Sequence, residues 1–458
     1  MQQKSPASQT AGPPAGQTAG QPAGQTAGQT AGQTAGPTGA PAKAIPAALF
    51  ATLALLSAVG PVSIDMYLPA FVTMAQELKT DATSIQLTLT AFLLGVALGQ
   101  LVLGPLSDRW GRRGLLLIGS VLCLLGCIAC ALAPTVSLLI LARFVTGFGG
   151  SAGIVLGRAV VSDRAKGIAA VQVFSFLSVV TGIAPVIAPL AGGALFHWIG
   201  WRGIFWVISG IAAVMVLAIL FVVKESLPAE LRHSGGLRQF VHTAGSVVRN
   251  RHFLGYTAGF CFGFGVLFAY ISASPFLVQN VLGMSNTSFS LVFAVNALSL
   301  TSISFLNAQL VSRFAARSLL RVGVLSILGG SSCLLVLTSS GVRSPWVVLP
   351  VLCFSCASVG LILGNATGLA LNQVPRAIGS ASAVIGAGQF GLAAIVAPLV
   401  GLGGEDTAVP MALVMTISAS VAVIGVLVLA RGSADSGLGS APGQPGDVQK
   451  NENTDRDR

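Results

Sequence analysis

Asp65 is the only acidic side chain inside any of the long apolar runs of this 458-residue chain. An ionised carboxylate in hydrocarbon costs about 2.5 to 3.5 kcal/mol on insertion scales, so such a group persists where it carries a proton or meets a partner. Pro61 and Pro69 bracket it one turn away on each side. Pro69 has no N–H to donate to the Asp65 carbonyl, which leaves a loosened, polar spot suited to binding and releasing a proton. Arg143 lies about eight residues in from the same end of its own run. An intramembrane Arg turns towards a polar interior, so Asp65 and Arg143 are expected to form a proton-sensitive pair. The competing reading makes Asp65 a helix cap in headgroup water.

Arg143, Gly147, Gly150, Ile154 and Arg158 recur at steps of three and four residues. That spacing gives one helix face, expected to point inward, with a cation at each end and small residues between. For Arg158 a gating role competes with snorkelling to headgroups. The run at 253–278 holds Phe260, Phe262, Phe264, Phe268, Tyr270 and Phe276, enough aromatic surface to line an apolar pocket. Even spacing should turn about half of them to lipid. Phe264, Phe268 and Tyr270, with Tyr67 and Gln389, are the candidate substrate contacts. The stretch GPLSDRWGRR at 104–113 packs four charged side chains into ten residues of a chain that is 9% charged overall.

The elements that must position these residues follow from composition. The chain is 53% hydrophobic with a mean hydropathy of +0.82, more apolar surface than a water-soluble fold could hide. A helix needs about 20 apolar residues to span a bilayer. Twelve such runs follow one another at 46–67, 85–106, 115–132, 136–161, 168–196, 204–223, 253–278, 289–311, 319–337, 346–371, 381–402 and 409–429. None alternates as a barrel strand would, so an all-α polytopic membrane protein is expected. With the amino terminus inside, the inner loops carry fourteen Lys or Arg and the outer loops three, Lys79, Arg202 and Arg343. This asymmetry puts both termini in the cytoplasm. The net charge of +11 therefore marks topology, since the basic residues form no polar patch for nucleic acid. The seven cysteines all lie in apolar runs and imply neither a disulfide framework nor a metal set.

Residues 1–42 repeat QTAG with Pro and Gly, and with 431–458 are expected to be disordered cytoplasmic tails. Between them a six-helix bundle at 43–223, a basic cytoplasmic linker at 224–252 lying against anionic lipid, and a second bundle at 253–430 are expected. The halves echo one another. Leu106, Arg109, Arg113, Leu115 and Leu116 return as Leu310, Arg313, Arg317, Leu319 and Leu320; LGRA at 156–159 returns as LGNA at 363–366; APLAGG at 188 returns as APLVG at 397. Three echoes at offsets near 200 residues argue for a duplicated unit, as in transporters that rock two bundles around a central site.

At 104–113 the sequence resembles the major facilitator superfamily, whose signature G-x-L-x-D-R-x-G-R-R it matches at Gly104, Leu106, Asp108, Arg109, Gly111, Arg112 and Arg113. The apolar runs on either side leave a loop of about eight residues, expected to be a tight cytoplasmic turn at the headgroups. A simple positive-inside anchor is the competing reading, and the resemblance implies gating. Asp108 would latch the two bundles together in one state and release them in another, with the glycines permitting close helix contact. SIDMYLPAF at 63–71, LARFVTGFGGSAGIVLGRAVVSDR at 141–164 and SASPF at 272–276 resemble the drug:proton antiporters of the bicyclomycin and chloramphenicol (Bcr/CflA) group, over residues 45–430. APLAGG resembles the antiporter signature and adds Pro189 to the gating set, with Ala188 where many exporters have Gly. The resemblance implies proton-driven export of small drugs across the cytoplasmic membrane, with the proton as coupling ion. A monomer without a cofactor is expected. Because one intramembrane acid cannot easily carry the proton and hold a cation, while Arg143 adds positive charge nearby, neutral or zwitterionic drugs are expected. Uptake of a metabolite or nutrient by the same fold is the alternative. An enzyme is not expected, for no nucleophile and base constellation is present, and no GxxxxGK[ST] loop supports ATP drive.

Overall fold

The computed structural model describes residues 46–165, 168–228, 230, 232 and 236–432. The expected tails, Lys166 and the Arg376 side chain fall outside these residues. Every regular element among them is helical: α1 (Ala47–Asp65), α2 (Phe71–Glu77), α3 (Ala82–Trp110), α4 (Arg112–Leu132), α5 (Val136–Arg164), α6 (Ile168–Val222), α7 (Gly236–Val248), α8 (Arg251–Phe276), α9 (Asn286–Leu310), α10 (Ala316–Ser339), α11 (Pro345–Ser358), α12 (Leu363–Asn372), α13 (Ile378–Leu399) and α14 (Val409–Ile424). Eleven helical stretches are long and apolar enough to cross a membrane. One of them, α6, breaks at Gly200, where φ is 63° and ψ −176°, into two crossing lengths, which brings the number to the twelve expected.

Polar side chains start several helices by accepting backbone N–H groups that have no partner in the first turn. Asp81 caps α3 through Ser84 N at 3.0 Å, and interaction with the Ser84 side chain, followed by this backbone bond, lowers the Asp81 pKa from its ordinary value. Asn250 caps α8 through His252 N and Phe253 N at 3.0 and 3.1 Å.

Helices α1 to α6 pack among themselves, with α3 on α5, α4 on α5 and α1 on α6, while α8 packs on α12 to α14 and α10 on α11 and α14. The two groups meet along α3 with α13 and along α6 with α9. Gly147 lets α5 close on α3: a Cβ there would land on the Phe92 carbonyl oxygen. The duplication is visible in matching contacts. Arg113 Nη2 donates to the Leu220 carbonyl at the end of α6 at 2.9 Å, and its counterpart Arg317 Nη2 donates to the Ala430 carbonyl just beyond α14 at 2.8 Å. Each guanidinium thus sits on exposed carbonyls at a helix carboxyl end, where a cation is favoured.

Two expectations about connections are corrected. The signature cluster is no eight-residue loop, because α3 runs on to Trp110, α4 starts at Arg112, and Gly111 alone joins them. The linker carries an amphipathic helix, α7, which packs against both α3 and α13.

Candidate functional site

Asp65 ends α1, since Pro69 allows only a turn and a short 3-10 segment (Leu68–Ala70) before α2. Its side chain is 3% exposed and Oδ1 has no hydrogen-bond partner. The headgroup-cap reading is therefore wrong for this conformation. Arg143, on α5, is 1% exposed, and it does not pair with Asp65. The three ion pairs among the described residues lie elsewhere. The guanidinium carbon instead lies 4.4 Å from the Tyr67 ring centroid, 4.3 Å from that of Phe92 and 5.9 Å from that of Phe205. Three negatively polarised ring faces take the place of the expected carboxylate. Nε and Nη2 of Arg143 keep no hydrogen-bond partner. The Tyr67 hydroxyl meets Thr88 Oγ1 at 3.2 Å.

The five candidate substrate contacts do not form one pocket. Phe264 and Phe268 pair at 4.6 Å between ring centroids, and Phe264 meets Phe390 at 5.8 Å, next to the half-buried Gln389 on α13. Tyr270 stacks on Phe293 of α9 at 5.5 Å. Tyr67 belongs to the Arg143 box. Nor do half the α8 aromatics face lipid: Phe260, Phe264, Phe268, Tyr270 and Phe276 are buried and Phe262 half-buried. The reason is position, since α8 is packed between α12, α13 and α14, so periodicity on one helix does not decide which side meets lipid.

At the other end of the helices Arg112 organises the signature. Its Nη1 meets Asp108 Oδ1 at 2.6 Å and Ser107 Oγ at 2.5 Å, and its Nε reaches Asp163 Oδ2 on α5 at 3.4 Å. Ser226 Oγ donates to the same Asp163 oxygen at 2.7 Å. Glu225, the second linker residue, accepts Arg112 N at 2.9 Å and Arg113 N at 3.3 Å, the opening N–H groups of α4. Partial burial alone would raise the Glu225 pKa, yet backbone bonds from Leu227, Arg112, Arg113 and Ser226 outweigh it and hold the carboxyl below its ordinary 4.5. Gly111 fits this clasp through a φ of 98°, and a Cβ would come within 2.6 Å of Glu225 Oε2. Gly104 is no close contact, for a Cβ there would meet only Val155 at an ordinary 3.5 Å. Arg109 is exposed and Pro189 buried within α6. Asp108 thus bonds within its own bundle in this conformation and does not bridge to the second. Asp163 and Glu225 escaped the sequence reading, although Asp163 closes the 141–164 stretch.

Most side-chain bonds between the bundles gather at the Asp65 end, while Thr301 Oγ1 of α9 donates to the Gly182 carbonyl midway along the first length of α6 at 3.2 Å. The Pro69 carbonyl accepts Gln279 Nε2 at 3.3 Å and Asn286 Nδ2 at 2.6 Å. Thr83 Oγ1 donates to the Gly401 carbonyl at 3.1 Å and Gln86 Nε2 to the Ser272 carbonyl at 3.2 Å. Away from this seal, exposure grows. On α5, Arg143 and Gly147 are buried, Gly150 and Ile154 half-buried, and Arg158 exposed; on α1, Asp65 is buried, Pro61, Ala58 and Ala54 half-buried, and Ala51 exposed. Side chains on these two helices are therefore least exposed beside Asp65 and most exposed at the Asp108 end.

Comparison with known proteins fits this arrangement. The Major Facilitator Superfamily profile matches residues 53–398. The chain is 40% identical over 383 residues to an uncharacterized MFS-type transporter, YdgK, of Bacillus subtilis (strain 168), across 83% of this chain and 94% of that one. It is 32% identical over 376 residues to a bicyclomycin resistance protein homolog of Haemophilus influenzae, across 82% and 94%. Identity to the multidrug resistance protein MdtL of Klebsiella pneumoniae subsp. pneumoniae is 26% over 368 residues, across 80% and 89%. Among solved structures, the D-xylose-proton symporter superposes with a TM-score of 0.66 at 17% identity, across 84% of this chain and 97% of that one, a likeness of fold alone. With the profile match spanning most of its length and two bundles closing around a buried carboxyl, the chain belongs to the Major Facilitator Superfamily, a family of transporters and not of enzymes.

Proposed function

We propose that the chain exports small neutral or zwitterionic drugs, phenicol- or bicyclomycin-like in size and polarity, from the cytoplasm in exchange for protons. The observation that carries this reading is Asp65: a carboxyl buried without an ion-pair partner, beside the seal between the bundles. A group held so can exist neutral when that end is shut and ionise when it opens to water. The names of the bicyclomycin and multidrug resistance relatives favour drugs as cargo. On this reading the Asp108 end faces the cytoplasm with both termini, a cleft between the bundles widens towards it, the chain works as a monomer in the plasma membrane, and Asp108 leaves Arg112 to latch the bundles once that wide end closes. The coupling ion is the proton, and no cofactor takes part.

The test is flux in proteoliposomes under an imposed pH gradient. Accumulation of chloramphenicol that follows the gradient and collapses with a protonophore is the expected result. Accumulation that ignores the gradient would remove proton coupling, and no flux of any phenicol or bicyclomycin would remove drugs of this type as cargo.

A further inference from the structure

We infer that Arg158 docks an anionic group of the cargo, a carboxylate above all, at the wide end of the cleft. This rests on the export reading and adds a chemical class to it: molecules carrying one negative group, zwitterions included.

Position comes first. A Cβ on Gly60 of α1 would meet the Ile154 side chain at 3.5 Å, and one on Gly104 of α3 would meet Val155 at 3.5 Å. Arg158 lies one turn beyond both on α5, so its stem leaves the helix over the groove between α1 and α3. Because α3 packs on α13 of the second bundle, one wall of that groove adjoins the junction between the bundles. Arg158 is also the most exposed member of the face that begins at Arg143, which places it where water enters the cleft.

Charge comes second. Three acids at this end are committed elsewhere: Asp108 and Asp163 to Arg112, Asp163 also to Ser226, and Glu225 to the start of α4. None of the ion pairs among the described residues includes Arg158. Its counterpart in the second half, Asn365, is neutral and buried, with its amide bonded to Asn307 Oδ1 and the Leu361 carbonyl, each at 2.8 Å. At this matched pair of positions the duplicated unit therefore carries a guanidinium in one half and a neutral amide in the other. An unpaired guanidinium presents a rigid fork of donors that matches a carboxylate two bonds at a time, and low-dielectric walls focus its field into the cleft. Arg158 is fifteen residues from Arg143 along α5, about 22 Å at helical rise, so cargo held there leaves the Asp65 region untouched.

The test uses purified full-length protein in detergent at neutral pH, with chloramphenicol and chloramphenicol hemisuccinate, one scaffold without and with a carboxylate. Equilibrium dialysis should show the hemisuccinate bound about tenfold more tightly, as expected for a charge-assisted hydrogen bond. Arg158→Gln should erase that preference and leave chloramphenicol affinity within about twofold, while Arg158→Lys should keep part of it. Asp65→Asn should retain it in full. If Arg158→Gln does not fold, the parent decides: rising ionic strength must erode the hemisuccinate preference and spare chloramphenicol. Equal affinities in the parent, or a preference that survives Arg158→Gln, would overturn the inference. Binding of neither ligand to the parent would instead overturn the drug-export reading beneath it.

Discussion

The guanidinium carbon of Arg143 lies 4.3 Å from the centroid of the Phe92 ring. A buried cation is thus stabilised by aromatic faces rather than by a carboxylate. Asp65, at a similar depth, is left free to change its protonation without breaking an ion pair.

Removing one of those faces should be costly. A desolvated cation–π contact is worth about 2 kcal/mol, so Phe92→Leu should lower thermal stability in detergent by that order. Tyr67→Phe keeps its ring and loses the hydroxyl that meets Thr88, and should cost about 1 kcal/mol. Calorimetry or a thermal-shift assay on both variants separates the contributions, and equal losses would count against the aromatic box.

Asp65→Asn should abolish concentration of drug against its gradient while leaving exchange down the gradient in place, because amide and protonated carboxyl have nearly the same shape. Proteoliposome flux with and without an imposed pH difference measures both. Uphill transport by the Asn variant would mean that the proton rides elsewhere.

Gly111→Ala should be poorly tolerated. It forces a side chain into a φ of 98° and brings its Cβ against the Glu225 carboxylate, and strain of this kind costs about 1–3 kcal/mol. The yield of monodisperse protein should fall, whereas Gly104→Ala, with ordinary contact distance available, should express near the parental level.

Asp108→Asn should insert normally and turn over more slowly, since no apolar run changes while the signature loses a charge. Initial rates at matched protein levels measure this, and rates equal to the parent's would dismiss the latch.

The Glu225 clasp should respond to acid. Its carboxyl titrates below the ordinary 4.5 in the folded protein, so its contribution is present above that value and is lost as pH falls through the lower, folded-state pKa. Limited proteolysis of the linker should therefore accelerate only under those acidic conditions, and Glu225→Gln should show the fast digestion already at pH 7.

Helix number, the break in α1 and the duplicated halves were legible in the sequence because each is written in local terms: runs of apolar residues, a proline four positions after Asp65, repeated short motifs. The partners of the charged residues were not. Whether Arg143 meets Asp65 or Phe92 depends on how α3 crosses α5 at Gly147, and that close approach is a property of two helices at once. The burial of the α8 aromatics was hidden for the same reason. Asp163 and Glu225 were missed because both lie at helix ends, where acids commonly do no more than meet solvent.

The seal at the Asp65 end rests on acceptors that belong to the main chain, the carbonyls of Pro69, Gly401 and Ser272. No codon change at those three positions can delete an acceptor. In these four bonds heritable variation therefore acts through the donors, Thr83 and Gln86 in one half and Gln279 and Asn286 in the other, at positions far along the helices from the Asp108 end.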